Sequence, residues 1–222
     1  EGSEALSAKV PLVDSSSVYV EQDNLLVSQT GGRDLVSLKD YCARLDGKEG
    51  AKLLPYAVKV PTQPTQSQQG GAGEAYLFDL CNTVAFSTDG TPHIYGKEVT
   101  LGLGLVNAKG GQVTATDQDG RFVTVKLLSV TKTRRYRRYV VEGTYRYQVS
   151  VVDGDLPFDT PAQEIEAMIA REIDRMMEAA YLAAKADGVD IFAVAGRLYA
   201  RYGVSLTLDQ VEWRRHIKVT CR

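Results

Sequence analysis

The sequence predicts an α+β fold. It reads as a mainly antiparallel sheet with a long helix and a shorter helix packed on one face, preceded by part of another α+β domain. Three observations lead there. Apolar residues between Ala75 and Val152 fall in strand-like runs broken by turn residues; from Thr160 they shift to helical spacing; after Gly203 they return to strict alternation. Strands, then two helices, then a closing strand is an α+β order, not the regular βαβ alternation of a parallel sheet.

Upstream, Asp34–Gly47 places Leu35, Leu38, Cys42 and Leu45 at three- and four-residue spacing, with Asp34 as N-cap and Gly47 past the end, so a short amphipathic helix is expected. Leu53–Val60 reads as a strand that Pro55 confines to an edge or to its first residues, because proline donates no hydrogen bond to a ladder. The stretch Pro61–Glu74, PTQPTQSQQGGAGE, has no large apolar side chain and is expected to be an exposed connector. The division this suggests is residues 1–60 as the C-terminal part of a preceding α+β domain, 61–75 as a flexible connector and 76–222 as a C-terminal α+β domain.

In that last part, Ala75–Phe86 and His93–Tyr95 are expected to form a hairpin through the turn Ser87–Gly90. Phe122–Tyr139 and Thr144–Val152 form a longer pair, with Glu142 and Gly143 as the expected turn. Thr160 as N-cap, Pro161 at the first helical position and Gln163 completing a capping box start the long helix. Its stripe is Ile165, Met168, Ile169, Ile173, Met176, Met177, Ala180 and Ala184, and Gly188 stops it. Asp190 is expected to cap a second helix, Ile191–Tyr202, ended by Gly203. In Arg214–Cys221, Arg215, Ile217, Val219 and Cys221 alternate with Arg214, His216, Lys218 and Thr220, as in a half-buried strand.

Composition narrows function by exclusion. The 222 residues carry 26 Lys+Arg against 28 Asp+Glu, which forces neither a nucleic-acid nor a membrane partner. No apolar run reaches the 18 or so residues of a spanning helix. The first residue is Glu, so the chain is expected to continue upstream. Cys42, Cys81 and Cys221 are odd in number, far apart and without a CxxC pattern; free buried thiols are expected, and neither metal nor cofactor. His93 and His216 lack a supporting catalytic motif. Glu164, Glu166, Glu172, Asp174 and Glu178 read as a solvated helix face before they read as paired catalytic carboxylates. The GxG in Leu101–Leu105 lacks the third glycine and the strand-to-helix setting of a dinucleotide site, so packing is expected there.

One local feature stands out. Lys132–Arg138, KTRRYRR, holds five positive charges in seven residues. On a strand, Arg134, Tyr136 and Arg138 face one way and Arg135 and Arg137 the other, which splits the charge between two faces and weakens a nucleic-acid reading. An edge strand protected by charge is the plain explanation. An interface made by Arg134, Arg135, Tyr136, Arg137 and Arg138 for an acidic protein surface or anionic lipid is the functional one.

The run Gly188–Tyr202, GVDIFAVAGRLYARY, following a long helix and preceding a basic terminal strand, resembles the end of the C-subunit of spore-germination receptors, the Ger(x)C lipoprotein family. Val189, Asp190, Ile191, Phe192, Leu198 and Tyr202 fit its pattern, whereas Ala193–Gly196 replace its G-F-G-E. Asn82–Phe86 resembles the family's G-T-A-V-F hairpin, Lys97–Val106 the helix after it, Lys132–Leu156 its K-T-K-rich strand and return, and Ser17–Pro55 the end of the preceding domain. The resemblance implies a non-enzymatic subunit held at the outer face of a membrane by an N-terminal lipid anchor, with membrane-spanning A and B subunits as partners. It implies no catalytic residue. Two other classes remain open on the residues alone: a small-molecule or anion binding module using the basic strand beside a sheet–helix cleft, and a hydrolase built on a carboxylate pair.

Overall fold

A computed structural model describes residues 52–61, 76–87, 89–107, 111–203 and 206–222. The helix expected over 34–47 and most of the expected connector lie outside these residues. Three strands, β1 (Lys52–Pro61), β2 (Tyr76–Phe86) and β3 (Pro92–Tyr95), form an antiparallel sheet in the order β1-β2-β3. Pro55 lies on β1, an edge strand, as its missing N–H requires. Pro61 pairs with Tyr76, so the chain on the two sides of 62–75 belongs to one sheet.

Helix α1 (Lys97–Asn107) leads from this sheet to a second one, built of β4 (Gly111–Thr116), β5 (Phe122–Arg137), β6 (Val140–Gly154) and β7 (Glu212–Cys221) in the order β4-β5-β6-β7. The first three strands are antiparallel, while β7 runs parallel to β6. A parallel neighbour needs a long crossover. Helices α2 (Ala162–Ala186) and α3 (Val194–Tyr202) and a 3-10 turn at Leu208–Gln210 supply it. Helix α2 packs against α1, β4 and β7, and the core lies between the helices and one face of the sheet. The class is therefore α+β, with one mixed and one antiparallel sheet.

The α2 stripe is as expected. Met168, Ile169, Ile173, Met176, Met177, Ala180 and Ala184 are buried and Ile165 is half-buried; Tyr181, absent from the expected stripe, is buried too and donates its hydroxyl proton to the Val211 carbonyl. Gly188 and Gly203 stop α2 and α3 at positive φ, +66° and +64°.

Four details differ from the sequence reading. The β5–β6 turn is at Arg138 and Tyr139, and Gly143 sits inside β6 opposite Arg134 and Arg215. A Cβ there would lie 2.5 Å from Tyr145 Cε2 and 3.1 Å from Trp213 Nε1, so the glycine serves close packing instead of a turn. Strand β4 was not expected; with only Val113 and Ala115 pointing inward, its six residues carry a weak alternation. Thr160 does not cap α2: its hydroxyl donates to the Pro157 carbonyl, and Pro161 occupies the N-cap in an extended conformation. The second helix begins at Val194, because the Asp190 carboxylate accepts from the N–H groups of Phe192 and Val194 and holds a turn that ends with Ala193 at φ 55°.

Candidate interface on the basic strand

What aims the basic residues is a bulge. On β5, Val123, Val125 and Leu127 are buried; then Leu127 pairs with Val149 and Ser129 with Gln148, leaving Leu128 unpaired and exposed. One extra residue reverses the alternation of everything that follows. Past the bulge the even-numbered positions turn inward, so Arg134 is half-buried and Tyr136 buried, while Arg135 and Arg137 are exposed on the opposite face. The expected split of the run is observed, with Arg138 in the turn. The upper half of β5 is also an edge, since β4 pairs only with Phe122–Leu127.

The inward residues are occupied. Arg134 donates from Nη2 to the Val106 carbonyl (2.7 Å) and from Nε to the Tyr145 hydroxyl (3.3 Å), and its guanidinium lies 5.1 Å from the centre of the Phe192 ring. A cation at the last carbonyls of α1 is favoured by the helix dipole. Tyr136 donates its hydroxyl to the Phe192 carbonyl at 3.1 Å, and Arg197 lies over its ring. The Tyr136 carbonyl on the open edge accepts from the Tyr202 hydroxyl (3.2 Å) and Arg201 Nη1 (3.4 Å), so α3 covers this part of the edge. These contacts tie the Gly188–Tyr202 run to the basic strand. On the outer face Arg137 lies 3.4 Å from Glu142, and Arg138 stacks over Tyr139 in the turn.

Arg134→Met is expected to lose about 1–3 kcal/mol, since it leaves the Val106 carbonyl and the Tyr145 hydroxyl without this donor. Arg134→Lys should recover part of the loss by returning the charge without the fork of donors. Urea midpoints of the two variants measure this, and equal values for wild type and both variants would rule the capping role out.

A second cationic element escaped the sequence reading. Arg215, on the inward face of β7, bonds to Asp174 Oδ1 at 2.6 Å and pairs with Glu178, and its guanidinium lies 4.7 Å from the centre of the Trp213 ring. Phe192 and Trp213 are themselves 4.7 Å apart. The result is a stack of Arg134, Phe192, Trp213 and Arg215 between sheet and helices. A lone tryptophan next to a double arginine was its only trace in the sequence.

The remaining candidates resolve into packing or ion pairs. Glu166 accepts from the Cys221 N–H, Glu172 and Glu98 hold Arg175, and Asp174 and Glu178 share Arg215. His93 Nδ1 lies 3.4 Å from Asp187, joining β3 to the end of α2. Nearby, burial first and the Asp187 carboxylate second push the Tyr95 hydroxyl pKa well above its usual value. His216 is exposed on the outer face of β7. Gly102, within the GxG run, lies in α1 against Met176 and Ala180. Cys221 is free and half-buried, and burial raises its pKa; Cys42 lies outside the described residues. Among the described residues no three His, Cys, Asp or Glu side chains converge on a metal position, and no helix is long and apolar enough to cross a membrane.

No protein-family model and no curated protein matches this chain. Among solved structures, the crystal structure of the GerBC protein matches with a TM-score of 0.63, covering 84% of this chain at 9% identity. The chain spans 60% of the length of that protein. At this identity the likeness speaks for the fold: the chain has the α+β fold of the GerBC protein.

Proposed function

We propose that this chain is a non-enzymatic, extracytoplasmic subunit of a spore germinant receptor, acting through protein–protein contacts. On this reading it is held at the outer face of a membrane by an N-terminal lipid anchor and meets membrane-spanning A and B subunits. Residues 76–222 form its C-terminal domain, 61–75 the connector, and 1–60 the end of the preceding domain, with β1 reaching across to pair with β2. The observation that carries the reading is the GerBC-like fold over 84% of the chain. The independent sequence resemblance of Gly188–Tyr202 supports it, as that run packs onto Tyr136 and Arg134 through Phe192 and Tyr202.

The test is genetic. Disrupting the gene is expected to leave spore formation intact and abolish the fall in optical density that nutrients trigger in spores relying on this receptor. An unchanged nutrient response in such spores would sink the proposal.

A further inference from the structure

We infer that the outer face of the four-stranded sheet is a docking surface for an acidic segment of a protein partner. This inference goes beyond the receptor reading and does not depend on it, because it stands on the chemistry of the face alone. Among the described residues helices cover only the inner side of the sheet. On the outer side Gln112, Thr114 and Thr116 of β4 and Glu212, Arg214, His216, Lys218 and Thr220 of β7 are all exposed, as are most outward residues of β5. Six cations point outward: Lys126, Arg135, Arg137, Arg146, Arg214 and Lys218. Two carboxylates offset them locally, Glu142 at 3.4 Å from Arg137 and Glu212 at 2.8 Å from Arg214. Among the described residues Lys126, Arg146 and Lys218 have no ion-pair partner, and Arg135 lies across the ladder from Glu142, which already pairs with Arg137.

The register sharpens this. Arg146 on β6 lies directly beside Lys218 on β7 and Thr131 on β5, so two like charges are neighbours with only a hydroxyl alongside. Cross-strand like charges cost stability, and an anionic partner would relieve that repulsion. The next row, Thr133, Thr144 and His216, adds hydroxyl and imidazole groups able to bond carboxylates.

Two features favour a bounded acidic protein segment over an anionic bilayer. Among the described residues the exposed large apolar side chains of the sheet itself, Leu128, Val151 and Val152, are aliphatic, and its one exposed aromatic, Tyr139, is stacked under Arg138 in the β5–β6 turn. Phe158, Tyr199 and Leu182 lie in the β6–α2 loop and on the helices, so this face offers a membrane little aromatic surface. Before the bulge, at the Phe122 end of β5, the same sheet ends among Asp153 and Asp155, with Asp117 and Asp119 beside Arg121, which would oppose an extended negative plane but leave room for a short acidic segment over the basic rows. Binding through such exposed charges is fast and salt-sensitive.

The test uses the full 222-residue chain and a fluorescent twelve-residue oligoglutamate peptide, followed by anisotropy at about 0.02 M and about 0.15 M salt, where screening differs strongly. Saturable binding that weakens with salt is expected. Arg135→Glu/Arg146→Glu/Lys218→Glu should weaken it at least about tenfold, and Arg146→Gln/Lys218→Gln by a smaller factor with a melting temperature at or above that of the wild type. Arg171→Glu on the exposed side of α2 should leave it as it was. No binding, equal loss in the Arg171 variant, or preferential sedimentation with phosphatidylglycerol vesicles over peptide binding would each overturn the proposal.

Discussion

Gly102→Leu is expected to abolish cooperative folding, and Gly102→Ala to destabilise by about 1–3 kcal/mol although alanine is the better helix former. Two terms oppose each other. In a helix interior, glycine to alanine gains about 1 kcal/mol of propensity. Against that, a Cβ at position 102 would fall inside the contact distance of the Met176 carbonyl oxygen and lie 2.8 Å from Ala180 Cβ. The first obstacle is α2 backbone, which has no rotamer to give, so α1 and α2 must separate along a seam that also buries Leu103 and Val106. Overpacking of a tight core costs about 1–3 kcal/mol and sometimes more, enough to reverse the propensity gain. Urea unfolding of the alanine variant decides the matter. A midpoint at or above wild type would show that the two helices do not meet at this glycine.

That glycine also shows what a sequence conceals. Leu101–Leu105 could be read as packing only by setting aside phosphate binding; nothing in the residues names Met176 as the neighbour. Gly143 was harder still, since a glycine between two β-rich runs has the look of a turn, and its real reason, the approach of Tyr145 and Trp213, is a long-range contact. Periodic elements were legible. The α2 stripe, the β7 alternation and the stop at Gly188 follow from spacing, because a 25-residue amphipathic helix or a ten-residue strand repeats its signal many times. Six residues of β4 do not. The split of the basic run was legible from alternation, but which half turns inward depends on one bulged residue, Leu128, that leaves no mark in composition. Helix α1 was found through family resemblance alone, since glycines at 102 and 104 lower its propensity. The outer sheet face combines β5, β6 and β7 through a parallel pairing 70-odd residues apart in sequence, so its charge rows exist only once the crossover is made.

Ile169→Ala and Ile173→Ala are each expected to lower stability by about 2–5 kcal/mol, measured by urea denaturation. Both side chains are fully buried, one turn apart on α2, where the helix crosses the sheet and meets α1. Truncation removes transfer free energy and leaves a cavity whose walls, a β-sheet on one side and a helix pinned at Gly102 on the other, cannot close over it. Because the two sites are neighbours, their cavities can merge, and the double variant should depart from the sum of the single ones. With a total stability of about 5–15 kcal/mol for a domain of ordinary size, the double variant should be partly unfolded at 25 °C. Leu182→Ala on the same helix is the control: its side chain is 54% exposed, and the change should stay within about 0.5 kcal/mol. If Leu182→Ala proved as costly as Ile173→Ala, the buried face of α2 would have to be rotated, and with it the strands against which the Gly188–Tyr202 run is held.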